Sequence, residues 1–384
     1  MADLQNDPPA ESIAVGDLDD VAPPRRDPST EPADPTAAGP AAGGPAAGGP
    51  AAGGPAAGSP AARSLERARE LLAAHPIADG CSGLGLALRE IPSYDIEDGE
   101  RMLETDIPRL RDGGVGAQFW SLHVRGEPTG DRAVTATLEQ LDLVRALVAE
   151  CPDGLRLALS AGDLADARNC GRIAALLGPV AGPALGDSLA TLRAYHALGV
   201  RSVTLAGTRW TQRTGLTPFG QEVVREMNRL GVLVDLSGCT LETMRRALVV
   251  AKAPVVISHH PEPVPDDVLR QLRANCGVCM VACTGTSIRE TADRLDHVRE
   301  TAGPQSVALT GAYDTGSPHA PGLADVSCFP RLIAELLDRD WPQSDIEALT
   351  WTNVSRVLRD AEFVSRAIQA RRPPSTARPT PQDG

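Results

Sequence analysis

Few side chains in this sequence are placed where chemistry could use them. Seven histidines stand at 75, 123, 196, 259, 260, 297 and 319, and eight cysteines at 81, 151, 170, 239, 276, 279, 283 and 328. Cys81, Cys239 and His259 each come at the end of an apolar, strand-like run. Two thiolates and an imidazole are an acceptable ligand set for one zinc ion. A metal-free alternative makes Cys81 a nucleophile and His259 its base, which requires a setting that stabilises the thiolate. The plainer alternatives are thiols that fill apolar space and, for His259-His260, one pocket imidazole and one surface imidazole, since neighbouring strand residues point oppositely. Cys276-x-x-Cys279 has redox or zinc spacing, but no second ligand pair lies at a matching distance, and Cys279 and Cys283 belong to the apolar run GVCMVAC. His75, His196, His297 and His319 fall in helical or loop stretches and read as solvated. Asp235, inside VLVDLS, is an acid in an apolar strand and needs a hydrogen-bonding partner, so it reads as scaffold. Asp314 reads as an unpaired acid or a loop cap, and Trp210 as a pocket wall or as packing.

The elements that would position these residues alternate between short apolar runs and amphipathic helical stretches. Strands are expected at Pro76–Gly80, Gly116–Val124, Leu155–Ser160, Ser202–Ala206, Val232–Ser237, Pro254–His259, Val278–Cys283 and Ser306–Gly311. Helical patterns lie between them, for example over 134–150, 219–230, 265–274 and 287–301. Several strands are apolar on successive residues, as when both faces are covered. Eight strand–helix units in this length predict an α/β fold, a (β/α)8 TIM-like barrel spanning 63–371. A doubly wound sheet would want a third glycine after Gly83-Leu84-Gly85, and it is missing. Chemistry in a barrel belongs at the strands' C-terminal ends, which here are Cys81, His123, Ser160, Gly207, Gly238/Cys239, His259/His260, Cys283 and Asp314.

Flanking segments carry no fold of their own. Residues 1–62 read as a disordered extension: prolines 40, 45, 50, 55 and 60 pace an AAGGP-type repeat with almost no surface to bury. Residues 1–38 hold nine acids and two bases, so about half of the chain's net charge of −13 sits there. It reads as a solubilising extension or a partner-binding arm. Residues 372–384 are expected to fray. The acidic balance argues against nucleic acid as a partner. With 42% hydrophobic residues but only 3% aromatic, the chain has no run of about 18 apolar residues, so no membrane partnership is expected. The acidic start lacks the order of a secretory signal, and reduced cysteines in a cytoplasmic protein are the simplest reading.

Longer strings carry a family likeness. TDIPRLRDGGVGAQFWSLHV (105–124), GDSLATLRAYHALGVRSVTL (186–205), APVVISHH (253–260) and VPDDVLRQLRANCGVCMV (264–281) resemble the membrane (renal) dipeptidases, zinc metallopeptidases also common as soluble bacterial enzymes. The likeness runs from about 65 to 365 and implies the same barrel, two zinc ions at its mouth, hydrolysis of dipeptides and homodimers. Position by position it implies something else for the metal. Cys81 stands where the family has a histidine, and Gly83 where it has the partner aspartate. Val180 replaces the glutamate that bridges both metals, Gly207 the substrate-binding histidine, Gly238 a further metal histidine, and Ala312 the first acid of an Asp-aromatic-Asp pattern whose second is Asp314. Only His259 is retained. A loop with a substrate-recognising arginine is shortened at Pro261-Glu262-Pro263.

The expectation is therefore a non-catalytic homologue without a cofactor. It would bind a small molecule or peptide near Gly207, Trp210, Cys239 and His260, or a partner protein such as a second copy or an active paralogue. The alternative is a hydrolase of peptide-like amides with one zinc rebuilt on Cys81, Cys239 and His259, and with Cys81, His259 and Asp314 as catalytic candidates.

Overall fold

The structure is a computed structural model that describes residues 59–383 apart from 92–93, 100–101, 125, 127–128 and 213–214. The expected disorder of the extension falls, up to residue 58, outside the described residues. The strands are β1 (Ile77–Ser82), β2 (Val115–Trp120), β3 (Leu155–Leu157), β4 (Ile173–Leu177), β5 (Ser202–Thr204), β6 (Thr211–Gln212), β7 (Gly215–Leu216), β8 (Leu233–Asp235), β9 (Val256–Ile257), β10 (Val278–Ala282) and β11 (Val307–Thr310). Two parallel sheets run in the orders β1-β2-β4-β3 and β11-β10-β9-β8-β5, and β6-β7 is a small antiparallel hairpin. Single bridges join the sheets at both edges: Ser82 to Tyr313 on one side, and Leu177 to Val200 and Val180 to Val203 on the other. The ring thereby closes as the expected barrel, with helices covering its outside.

Of the nine strands in the two parallel sheets, eight follow one another around the ring and β3 pairs with β4 alone, so one ring member differs from expectation. Ile173–Leu177 supplies a ring strand that the sequence reading omitted, because IAALL is a short apolar run whose alanines and leucines do not favour strand over buried helix. The expected strand at Leu155–Ser160 shrinks to three residues that pair only with β4. β2 and β9 also end early, at Trp120 and Ile257, because the backbone beyond them hydrogen-bonds to side chains and loops at the mouth.

Both ends of the domain need correction. A helix begins at Pro60, ahead of the expected boundary at 63, and runs to Ala74. Ser59 caps it, its hydroxyl accepting from the Ala62 N–H at 3.2 Å, and Pro60 sits in the first turn, where its missing N–H costs nothing. At the other end, residues 372–383 do not fray away from the body. Ser375 donates its hydroxyl to Glu222 at 3.1 Å and its N–H to Glu226 at 3.3 Å, and Asp383 accepts from the Phe219 N–H at 3.2 Å. Polar composition suggested fraying, but the helix Pro218–Leu230 presents acids and free N–H groups that this polar segment satisfies.

The final long helix, Asn353–Gln369, is tied to the barrel by its first residue. The buried Asn353 amide donates to the carbonyls of Pro304 and Val307, both at 2.8 Å. Asn353→Ala should leave two carbonyls without donors and lower stability by about 2–3 kcal/mol, measured by urea unfolding.

Candidate functional site

The barrel mouth is floored by two carboxylates that belong to the scaffold. Asp79, on β1, is fully buried and accepts from the Gln118 amide at 2.9 Å, the Gly311 N–H at 2.7 Å and the Cys81 N–H at 3.4 Å. Burial outweighs these bonds and pushes its carboxyl up to about 6. Asp235, on β8, is also fully buried and accepts from Ser237 through its N–H at 2.9 Å and its hydroxyl at 2.6 Å, and from Ser258 through both N–H and hydroxyl. The scaffold role expected for Asp235 holds. Asp79 was missed, although the same signal, an acid in the apolar stretch IADG, would have found it.

Asp235 reaches the mouth through Ser237, whose hydroxyl accepts from the His259 N–H at 2.8 Å. His259 and His260 are both half-buried, which departs from the pocket-and-surface division. Burial lowers the His259 pKa against the opposing pull of Asp235, so the ring is neutral at pH 7. Its Nδ1 has no partner among the described residues. His260 Nδ1 lies 3.0 Å from the Glu262 carbonyl. His123, half-buried after β2, is likewise shifted down by burial.

The thiols are not poised for nucleophilic attack. Cys81 is buried, and burial together with the carboxylates of Asp79 and Asp235 drives its pKa well above that of a free thiol. Cys239 is buried too and pushed up to about 12 by burial and by Asp235. A nucleophile needs the opposite field. The expected exposure of Cys81 fails because the residue lies inside β1, not beyond it, and its carbonyl is held by the Ala312 N–H at 3.1 Å.

Among the described residues, no group of three His, Cys, Asp or Glu side chains is arranged to hold a metal ion, so Cys81, Cys239 and His259 do not form the single-zinc set. The other positions in question carry no donor atoms. Val180 is fully buried in the seam with Val203. Gly207, Gly238 and Ala312 have φ of +77°, +69° and +54°, the left-handed region that side chains adopt reluctantly. A Cβ on Gly83 would come within 2.2 Å of the Asp314 carbonyl oxygen. The residues present do not fit a pair of zinc ions.

Trp210 lines no opening: it is fully buried, its indole donating to Asp187 at 2.9 Å and its ring meeting Phe219 edge-on at 6.3 Å. Asp314 is a loop clasp. Its carboxylate accepts from the Glu104 N–H at 2.7 Å while its own N–H donates to the Glu104 carboxylate at 2.6 Å. His319, read as solvated, has a side chain only 5% exposed and sets Nε2 3.1 Å from Glu104. Burial works against its charge, but Glu104 prevails and raises its pKa. Sequence spacing could not reveal this clasp, because Glu104 and His319 are 215 residues apart.

The protein-family model for membrane dipeptidase (Peptidase family M19) matches residues 65–372. Dipeptidase 3 of Mus musculus is 36% identical over 337 residues, covering 79% of this chain and 68% of the relative. Dipeptidase aclJ of Aspergillus oryzae is 35% identical over 343 residues, covering 78% and 81%. Among solved structures, the probable dipeptidase PvdM from Pseudomonas aeruginosa superposes with a TM-score of 0.71 at 17% identity, covering 79% of this chain and 99% of that one. A metallo peptidase from Rhodobacter sphaeroides liganded with a phosphinate mimic of the dipeptide L-Ala-D-Ala gives 0.68 at 19%, covering 74% and 99%. The fold is thus that of an α/β barrel of the dipeptidase type. The chain belongs to the membrane dipeptidase family.

Two measurements follow from the buried groups. Since Asp79 binds its proton more tightly when folded, its own contribution to stability is present at acid pH and is lost as pH rises between about 4 and 6. Asp79→Asn should remove this slope, so the difference in unfolding free energy between variant and wild type shifts by about 2 kcal/mol toward the variant from pH 4 to pH 7. Iodoacetamide on the native protein at neutral pH should label the exposed Cys170 and Cys276 first and leave Cys81 and Cys239 unlabelled until unfolding.

Proposed function

We propose that this chain is a non-catalytic member of the dipeptidase family, whose barrel mouth binds a small molecule or peptide without hydrolysing it. The observation that carries this reading is the close approach at Gly83, where the Asp314 carbonyl occupies the place a ligand side chain would need. Without a metal to acidify water from a pKa near 15.7 to about 7, no group among the described residues of the mouth would attack an amide. The protonated thiol of Cys81 does not replace it.

The ligand would meet neutral imidazoles at His123 and His259, both half-buried at the ends of their strands. A second copy or an active paralogue remains the partner suggested by the family's dimers. All eight thiols are free, which supports a reducing, cytoplasmic setting. No helix among the described residues is long and apolar enough to cross a membrane.

Protein incubated with excess zinc and then dialysed should retain well under one zinc per chain by plasma mass spectrometry, and should not cleave a panel of dipeptides with or without added zinc. Stoichiometric zinc that is lost on Cys81→Ser would establish the rebuilt site instead, and turnover of the panel would return the chain to the active enzymes.

A further inference from the structure

On the flank of the barrel, the helices Pro60–Ala74 and Phe329–Asp338 border an open groove of about 1060 Å³, closed at one end by the start of the helix Ile288–Ala302. We propose that this groove docks an acidic, amphipathic helix from a partner polypeptide. The inference does not depend on what the barrel mouth does.

The lining has two chemistries. The half-buried Leu65 and Ile288 supply an apolar floor, backed by the buried Leu72 and Ala334. Leu65 and Leu72 lie seven residues apart on one helix and so face the same side. Around this floor stand Arg69, Arg111, Arg289 and Arg331, all exposed. The guanidinium groups of Arg69, Arg111 and Arg289 make no ion pair or hydrogen bond among the described residues, and Arg331 makes only a long contact of 3.5 Å to the Gly322 carbonyl. The acids of the groove compensate in part: Glu335 is paired with Arg339 at 3.0 Å, while Asp112 and Asp338, the latter accepting from the neutral Ser64 hydroxyl at 2.5 Å, stand against two of the four arginines. On a chain with a net charge of −13, this is a local reversal of sign.

Charge and shape together select the occupant. Free, flexible guanidinium groups at the rim attract carboxylates and bind them in pairs of parallel hydrogen bonds. The groove is open and slightly larger than the ~300–1,000 Å³ typical of small-molecule sites. An apolar floor between charged rims is the arrangement that takes a helix by its hydrophobic face, with anchors at i, i+4 and i+7. Aspartates and glutamates flanking those anchors would meet the arginines.

The test uses the full chain and a fluorescein-labelled synthetic helix of about five turns, with leucines at the anchor spacing and glutamates beside them. Fluorescence anisotropy at low salt should show saturable binding near 1 µM, about the strength of a modest peptide interface. Arg111→Glu combined with Arg289→Glu should weaken it at least about tenfold, since each reversal turns attraction into repulsion. Both residues are exposed and without side-chain partners, so circular dichroism of the double variant should match wild type. Replacing the peptide's leucines by alanine, or its glutamates by lysine, should also abolish binding. The proposal is overturned if the wild-type chain does not bind, if the charge reversal leaves affinity unchanged, or if the alanine peptide binds equally well. Co-sedimentation with phosphatidylglycerol vesicles in the absence of peptide binding would overturn it in favour of a lipid surface.

Discussion

Asp79 joins the two halves of the barrel where their pairing is thinnest. Between β1 and β11 only the bridge from Ser82 to Tyr313 continues the sheet, and the carboxylate spans the gap below it by accepting from the Gly311 N–H and, on the other side of β1, from Gln118 of β2. An acid in this position is costly to bury, and the shift of its pKa measures that cost. The bonds it makes offset part of the cost. Without it, the Gly311 N–H would lose its partner in a fully buried place, and Gln118, whose amide oxygen already lacks one, would lose its remaining contact.

The same device recurs across the ring at Asp235, with a different result at the surface. There the carboxylate is ringed by serine donors, and one of these serines carries the order outward to the backbone of His259. The mouth is therefore positioned from below, by acids fixed to the backbone. Glu104, Asp314 and His319 hold it from above, linking the segment ahead of the helix Ile107–Asp112 to the loop after β11. Between these two layers the thiols of Cys81, Cys239 and Cys283 are buried and behave as small apolar groups.

The sequence made the barrel legible because its evidence is redundant: runs such as VCMVA and VALT are apolar on successive residues, as in strands covered on both faces, and amphipathic helical stretches alternate with them. Ile173–Leu177 escaped because a five-residue alanine–leucine run has no period that distinguishes strand from helix. The positions of the candidate site were legible as strand ends, but their surroundings were not. Whether Cys81 is exposed, whether Trp210 faces a pocket and whether His319 meets an acid are decided by contacts between residues far apart in the chain. Asp187 to Trp210 and Glu104 to His319 are such contacts, and spacing contains no trace of them. Burial of an ionisable residue is readable in sequence only where its neighbours are all apolar, as at Asp235 and, in retrospect, Asp79.

On the proposed reading, the residue types at the mouth have a thermodynamic explanation. Carboxylates and imidazoles that face one another without a cation would be buried charges and unpaired polar groups, each costing a few kcal/mol. Cysteine, glycine, valine and alanine at 81, 83, 180, 207, 238 and 312 remove those costs, and the loop carrying Asp314 can then settle against Gly83. Asp79 and Asp235 are spared because their partners are backbone N–H groups and neutral side chains of the scaffold itself, which the barrel needs with or without a metal. A carboxylate is thus kept where the fold supplies its donors, and absent where only a metal ion would have done so.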